Sequence, residues 1–234
     1  MEKREWEELV ERLIREGILR SPSVIKAMRL VSRDAFLPEH MRSYAAVIHP
    51  FQSDGDKRFL RHTTDQPRSV GRNMVSIMDE VLELETGQKV LEVGAGSGWH
   101  AATIAEIVAP TEAPKDKWGH VYTVEILSQL AELAKKNTEK TGYNNRVTVI
   151  CGDGSLGYPE KAPYDRVLVT AAAPDIPKPL VEQLKNGGVL VIPVGGMYLY
   201  QTLVRVRKRD GQILEENLGG VAFVPLTGRY GQRL

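Results

Sequence analysis

The sequence predicts an α/β fold in which a doubly wound, mostly parallel sheet carries helices on both faces. Three observations predict it. Between residues 73 and 194, short apolar runs alternate with segments whose apolar residues recur at helical spacing, the rhythm of repeated strand–helix units. The first run ends in a glycine-rich turn, Gly94-Ala95-Gly96-Ser97-Gly98, before a helical segment begins. Such a turn lets the backbone reverse tightly and approach a ligand closely. Near the end, two further runs flank Asp210-Gly211, a two-residue hairpin signal that closes the sheet with antiparallel strands.

The elements follow in order. Trp6, Leu9, Val10, Leu13, Ile14 and Ile18 form one helical face, with Gly17 at its frayed end. Ser21-Pro22-Ser23 starts a second helix whose face is Val24, Ile25, Met28 and Val31, and Pro38 follows it. Residues 39–72 are read as irregular, and long irregular segments in compact domains are often functional. A third helix begins near Asn73 with the stripe Met74, Ile77, Met78, Val81 and Leu82. Strands are expected at 89–93, 120–125, 146–151, 164–170 and 189–194, and helices at 99–108, 127–140 and 179–184. Gly187-Gly188 is expected as a turn. Residues 201–207 and 213–216 pair across Asp210-Gly211. The expectation is one domain over 1–234: helices and an acceptor-side loop (1–72), a ligand-binding core (73–200) and a C-terminal hairpin segment (201–234).

Composition narrows the function. Lys and Arg number 31 against 30 Asp and Glu, a net charge of +1, so no global field draws nucleic acid or a membrane surface. Cys151 is the single cysteine, which rules out an internal disulfide framework. No apolar run reaches transmembrane length, and the charged N-terminus has no signal-peptide core. A cytoplasmic location is the default. The oligomeric state stays open.

Chemistry concentrates at the carboxyl ends of the expected strands, where open α/β sheets bind ligands. Besides the glycine turn and Glu92 ahead of it, Glu125 ends the second strand, with Ile126 beside it. A carboxylate there can accept both hydroxyls of a ribose. Asp153-Gly154 follows the third strand and Thr170 ends the fourth. The turn reads GxGxG, which departs from the dinucleotide fingerprint and argues against NAD. His40, His49, His62, His100 and His120 are scattered, so no catalytic triad and no metal-ligand cluster presents itself, and solvated or structural roles are expected for each.

Taken together, these motifs resemble the class I S-adenosylmethionine-dependent methyltransferases, and more narrowly the protein-L-isoaspartate O-methyltransferases. The resemblance rests on VLEVGAGSGWHAATIAEIV, YTVEI, the GDGS and PYD motifs, the TAAAP run and GGVAFVPLTG, in that order. It implies a Rossmann-like seven-stranded fold, S-adenosyl-L-methionine as donor and S-adenosyl-L-homocysteine as product, and a protein or peptide carrying isoaspartate as partner. Membrane and nucleic-acid partners are not expected. It assigns donor contacts to Glu92, Gly94, Ala95, Gly96, Ser97, Gly98, Glu125, Ile126, Asp153, Gly154 and Thr170. It assigns acceptor contacts to Val224, Leu226 and Thr227, and it implies no metal.

One segment departs from the family. The family reads GQT(I/V)SAPHM ahead of the third helix, and its serine sits beside donor and acceptor. This chain reads DQPRSVGRNM, one residue longer between Ser69 and Met74. Ser69 matches the family serine and becomes the candidate catalytic residue. Arg68 and Arg72 become candidate donors to an acceptor carboxylate. Two further readings stay open: a relative of the same fold with another acceptor (another carboxylate, an O-nucleophile or nucleic acid), and a non-catalytic S-adenosylmethionine-binding protein.

Overall fold

A computed structural model describes residues 3–37, 39, 72–196 and 200–232. Three helices lead the chain: α1 (Lys3–Arg15), α2 (Pro22–Leu30) and α3 (Arg72–Leu82). Strand and helix then alternate through β1 (Lys89–Val93), α4 (Trp99–Val108), β2 (His120–Glu125), α5 (Ser128–Lys140), β3 (Val147–Cys151), β4 (Tyr164–Val169), α6 (Lys178–Glu182) and β5 (Leu184–Val194). The hairpin β6 (Gln201–Arg209) and β7 (Gln212–Val221) ends the sheet.

The seven strands lie in the order β3-β2-β1-β4-β5-β6-β7. The first five are parallel, and β6 and β7 are antiparallel to their neighbours. Period-two alternation divides each central strand between two cores. Val90 of β1 packs with Val121, Leu168, Val189 and the helical residues Met78, Leu82, Trp99 and Ile104. Leu91 and Val93 face the other way, with Val124, Val167, Leu190 and Leu180 of α6. The sheet is therefore covered on both faces, and neighbours on one strand belong to different cores.

The expected elements appear within a residue or two, apart from β5 and from β7, which runs five residues past the expected end at 216. Gly187-Gly188 does not separate two elements; both glycines fall inside β5. Tyr164 pairs with Leu184, yet Arg166 already pairs with Val189, so several residues of β5 bulge out of register. Gly187 sits in this bulge at φ +79°. The turn signal was real, and the sheet absorbed it as a bulge, where glycine tolerates positive φ. The hairpin forms at its expected place, with Asp210 at φ +51° and Gly211 at +78°, the positive φ pair of a type I′ turn.

The N-terminal helices cover α4. Trp6 meets Trp99 edge to face at 5.9 Å, and its indole N–H donates to the Met28 carbonyl. The Trp99 indole N–H donates to the Val31 carbonyl at 2.9 Å. Asn137 of α5 donates to the carbonyls of both Phe36 and Ser97. The glycine turn is thus braced from the N-terminal segment and from α5.

Candidate active site

The site is built on the carboxyl end of β1. Gly94, Gly96 and Gly98 adopt φ of +100°, +54° and +82°, values that side-chain-bearing residues rarely take. Their surroundings differ. A Cβ on Gly94 would lie 2.2 Å from Thr170 Oγ1, whereas a Cβ on Gly96 meets nothing within 4 Å. Open space over a forced backbone turn is the cradle a ligand fills. Gly96→Ala should therefore cost the fold only about 1 kcal/mol, the left-handed penalty, while donor affinity falls at least ~10-fold because the methyl occupies ligand space. Gly94→Ala should instead cost stability, about 2 kcal/mol or more. Melting curves and titration calorimetry on both variants check this contrast; equal effects of the two on melting would contradict it.

Glu125 ends β2 beside this turn and is largely buried. Gly96 N–H donates to its Oε2 at 3.0 Å, and Leu127 N–H donates to its Oε1 at 3.1 Å. Each oxygen keeps a second acceptor site. The carboxylate is therefore pre-aimed, with room for two hydroxyl donors. Ile126 is 42% exposed and offers an apolar side chain next to that carboxylate. Thr170 Oγ1 donates to the Val93 and Gly94 carbonyls, each at 3.0 Å, and so ties the end of β4 to the turn. Ala95 is buried and its carbonyl accepts from Gly98 N–H.

Three expected site residues also have structural contacts of their own. Asp153 accepts from Ser155 N–H and Oγ–H through Oδ1, and from Arg229 N–H through Oδ2. It caps the 3₁₀ turn Gly154–Leu156 and pins the C-terminal segment, because Asp side chains readily bond nearby backbone N–H groups. Gly154 is required by packing: a Cβ there would come within 2.5 Å of Val93. Leu226 is 4% exposed and belongs to the core of the α6 face, and its N–H donates to the Ala172 carbonyl. Val224, by contrast, is 55% exposed and Thr227 is half-buried. Ser69 and Arg68 lie outside the described residues. Arg72 opens α3.

Glu92 also departs from expectation. It is fully buried on the α3–α4 side of the sheet, and Thr123 Oγ1 donates to its Oε2 at 2.5 Å. Its Oε1 lies 3.6 Å from His100 Nδ1. His100 Nε2 lies 2.9 Å from Asp79 Oδ1, and Asp79 is fully buried. Strand alternation explains the placement: residue 92 must point to the face opposite Leu91 and Val93. Its carboxylate is held inside a polar cluster. Sequence reading missed this cluster, because Asp79, Glu92 and His100 come from three separate elements. The one available signal was a polar Ser76 and Asp79 inside the apolar stripe of α3.

Burial raises the Glu92 pKa to about 7, against the opposing effects of His100 and Thr123. Burial likewise raises Asp79. Burial opposes the charged form of His100, yet the Asp79 contact and Glu92 together raise its pKa. The cluster thus favours its protonated forms: the Asp79 contact supports a proton on His100, and Glu92 holds its own until near pH 7. A carboxyl whose folded pKa exceeds its unfolded value loses its stabilising contribution as pH rises through the folded value. Wild-type stability should therefore fall as pH rises from the unfolded carboxyl range, about 4, through pH about 7. Glu92→Gln should flatten that fall. Denaturant melts at several pH values check it, and parallel curves for the two proteins would contradict it.

Among the described residues, no group of His, Cys, Asp and Glu is arranged to hold a metal ion. The protein-L-isoaspartate(D-aspartate) O-methyltransferase profile matches residues 4–231. A protein-L-isoaspartate O-methyltransferase of Hyperthermus butylicus is 52% identical, covering 96% of this chain and 89% of the relative. One from Pyrococcus horikoshii is 48% identical over 97% of this chain and 95% of its own length. A solved protein-L-isoaspartate O-methyltransferase superposes with a TM-score of 0.78 at 27% identity, covering 96% of this chain and 67% of that one. A second, from Plasmodium falciparum and solved with S-adenosyl-L-homocysteine, has a TM-score of 0.76 at 24% identity, covering 95% and 98%.

Proposed function

The chain belongs to the protein-L-isoaspartate(D-aspartate) O-methyltransferase family, and on that premise we propose how its residues carry out S-adenosylmethionine-dependent methylation of L-isoaspartyl carboxylates in damaged proteins. The observation that carries the donor half is the carboxylate of Glu125, fixed by two backbone N–H groups beside the open turn at Gly96. Both fit an adenosine-bearing ligand: a positioned carboxylate for vicinal hydroxyls, and close backbone approach without a Cβ.

When bound, S-adenosylmethionine supplies an electrophilic methyl group on a sulfonium. The chain's residues do the rest by placement. Glu125 would accept the two ribose hydroxyls. The backbone of residues 94–98 would form the floor, which Thr170 holds to β4. Ile126 and the Gly154 turn, fixed by Asp153, would hold the adenine end. On the acceptor side, Ser69, Arg68 and Arg72 hold the isoaspartyl carboxylate, and Val224 with Thr227 contributes the pocket wall. Arginine suits this task because its planar fork pairs with both carboxylate oxygens.

No general base is required. A carboxylate with an ordinary pKa near 4 is already ionised at neutral pH. Catalysis then reduces to aligning oxygen, methyl and sulfur at near-attack distance, a contribution worth up to about 7–11 kcal/mol in well-oriented systems. Opposite charges vanish in the transfer, so a site that excludes water favours it. A cytoplasmic location belongs to the same proposal, supported by a chain with one cysteine and no disulfide framework.

Incubation with an isoaspartyl peptide and methyl-labelled donor should give a base-labile ester, released as methanol. Ser69→Ala should lower turnover at least ~10-fold, the loss of one positioning hydrogen bond of about 1.4 kcal/mol. Donor binding without ester formation would remove isoaspartate as the acceptor. Unchanged turnover in Ser69→Ala would remove that serine from the site.

A further inference from the structure

The buried cluster of Asp79, His100 and Glu92 joins the two halves of this site. Asp79 lies on α3, and the chain enters α3 directly from the acceptor segment. His100 lies two residues beyond Gly98, on α4. Glu92 lies two residues ahead of Gly94, on β1. Asp79 and Glu92 are fully buried and His100 is nearly so. Such groups are costly to bury unless they pair with one another. The cluster also keeps Ser76 Oγ, Asp79 Oδ2 and Glu92 Oε1 without hydrogen-bond partners among the described residues. An apolar trio would pack this interface without that cost, so a core-filling role does not account for it.

α3 is otherwise fixed at its far end. Arg166 donates to the Leu82 and Glu83 carbonyls at 2.7 and 2.9 Å, capping the last turn. Two polar ties act in the body of the helix: Glu80 accepts from Arg20 and Ser21 on the side of α2, and the Asp79–His100 contact is the one that reaches α4 and the glycine turn. Asp79 sits seven residues from Arg72, about 10 Å along the axis. A rotation of α3 about its capped end moves the start of the helix, and with it the attached acceptor segment, relative to the glycine turn.

We propose that Asp79 and His100 are positioning residues for methyl transfer, locking the helix that carries the acceptor segment to the turn that holds the donor. The proposal rests on reading this site as a methyl-transfer centre. It acts through geometry, and neither residue touches the reacting atoms. The charged groups acting on the cluster are its own members, with Glu80 beside Asp79 and Glu125 beside Glu92. Glu80 is itself engaged by the backbone N–H groups of Arg20 and Ser21. The transfer moves no proton, so a pH limb in the turnover number reports on the protein.

The test is steady-state turnover of an isoaspartyl peptide from neutral to alkaline pH, with donor affinity measured by calorimetry. Wild-type kcat should fall on the alkaline side as His100 loses its proton. Asp79→Asn should lower kcat about 10- to 100-fold, as expected of a small misplacement, while donor Kd changes less than about twofold. Its alkaline limb should move to lower pH, because removing the charge partner leaves burial to depress the imidazole. Asp79→Glu should recover part of the rate. A folded Asp79→Asn with wild-type kcat and pH profile overturns the proposal. Should that variant not fold, Glu92→Gln decides: a smaller shift in the same direction supports it, and no shift overturns it. Failure of the wild-type protein to bind donor or form ester would instead strike the functional reading, and those two measurements come first.

Discussion

Replacing Arg146 by methionine should lower the unfolding free energy by about 3–5 kcal/mol, the cost of leaving one partner of a buried ion pair alone. Arg146 and Glu106 are almost wholly buried, with Nη1 3.1 Å from Glu106 Oε2. The same nitrogen donates to the Ala109 carbonyl at 2.7 Å and to Thr111 Oγ1 at 3.2 Å. The guanidinium lies over Trp118 at 5.0 Å and over Tyr143 at 4.3 Å. Glu106 also accepts from Thr111 and Tyr143. One side chain therefore ties α4, the loop after it and the approach to β3. At roughly 2–4 °C per kcal/mol for a chain of this size, the melting midpoint should drop by about 10 °C. Arg146→Lys should rescue little, because a compact, strongly hydrated ammonium lacks the planar guanidinium face that lies over the two rings. Arg146→Met with Glu106→Gln should recover much of the loss, since the orphaned charge is then removed. A drop below about 1 kcal/mol would class this as an ordinary exposed pair.

Glu125→Ala should weaken S-adenosylmethionine binding about 100-fold, some 3 kcal/mol, by deleting two charge-assisted hydrogen bonds to the ribose. The carboxylate also orients the Gly96 peptide, so the melting midpoint without ligand should fall slightly. The decisive readout is the ligand-induced rise in that midpoint, which scales with occupancy. Wild-type protein should gain it and the variant should not at the same donor concentration. Glu125→Gln should fall between the two, since the amide keeps one acceptor and loses the charge. A calorimetric Kd within about threefold of wild type would move the ribose contact to another residue.

Sequence patterns located the strands and helices well because period is a local property. The α4 stripe, the hairpin at Asp210-Gly211 and the glycine turn each need only neighbouring residues to declare themselves. Glu125 was legible for a related reason: its place at a strand end fixes its place at the sheet's edge. Other residues share a different feature. For Leu226, Asp153 and Glu92 the sequence places the residue in its region, but not the direction of its side chain. That direction comes from partners far along the chain: Ala172 for Leu226, Arg229 for Asp153, His100 and Thr123 for Glu92. Gly187 shows the same limit for backbone, since only the pairing of β4 with β5 turns its bend into a bulge.

From the order of its residues alone this chain determined its α/β class, its family, and the places of its glycine turn and of Glu125 at the strand ends. Each of those depends on spacing within a short window and on the fixed periods of helix and strand. Tertiary structure alone decided which charges are buried together. In the sequence Asp79 and His100 read as ordinary polar positions and Glu92 as a candidate donor contact, with nothing to join the three, and nothing joins Glu106 to Arg146. Packing two helices against one strand removes water from between them, and a charge without water must find another charge.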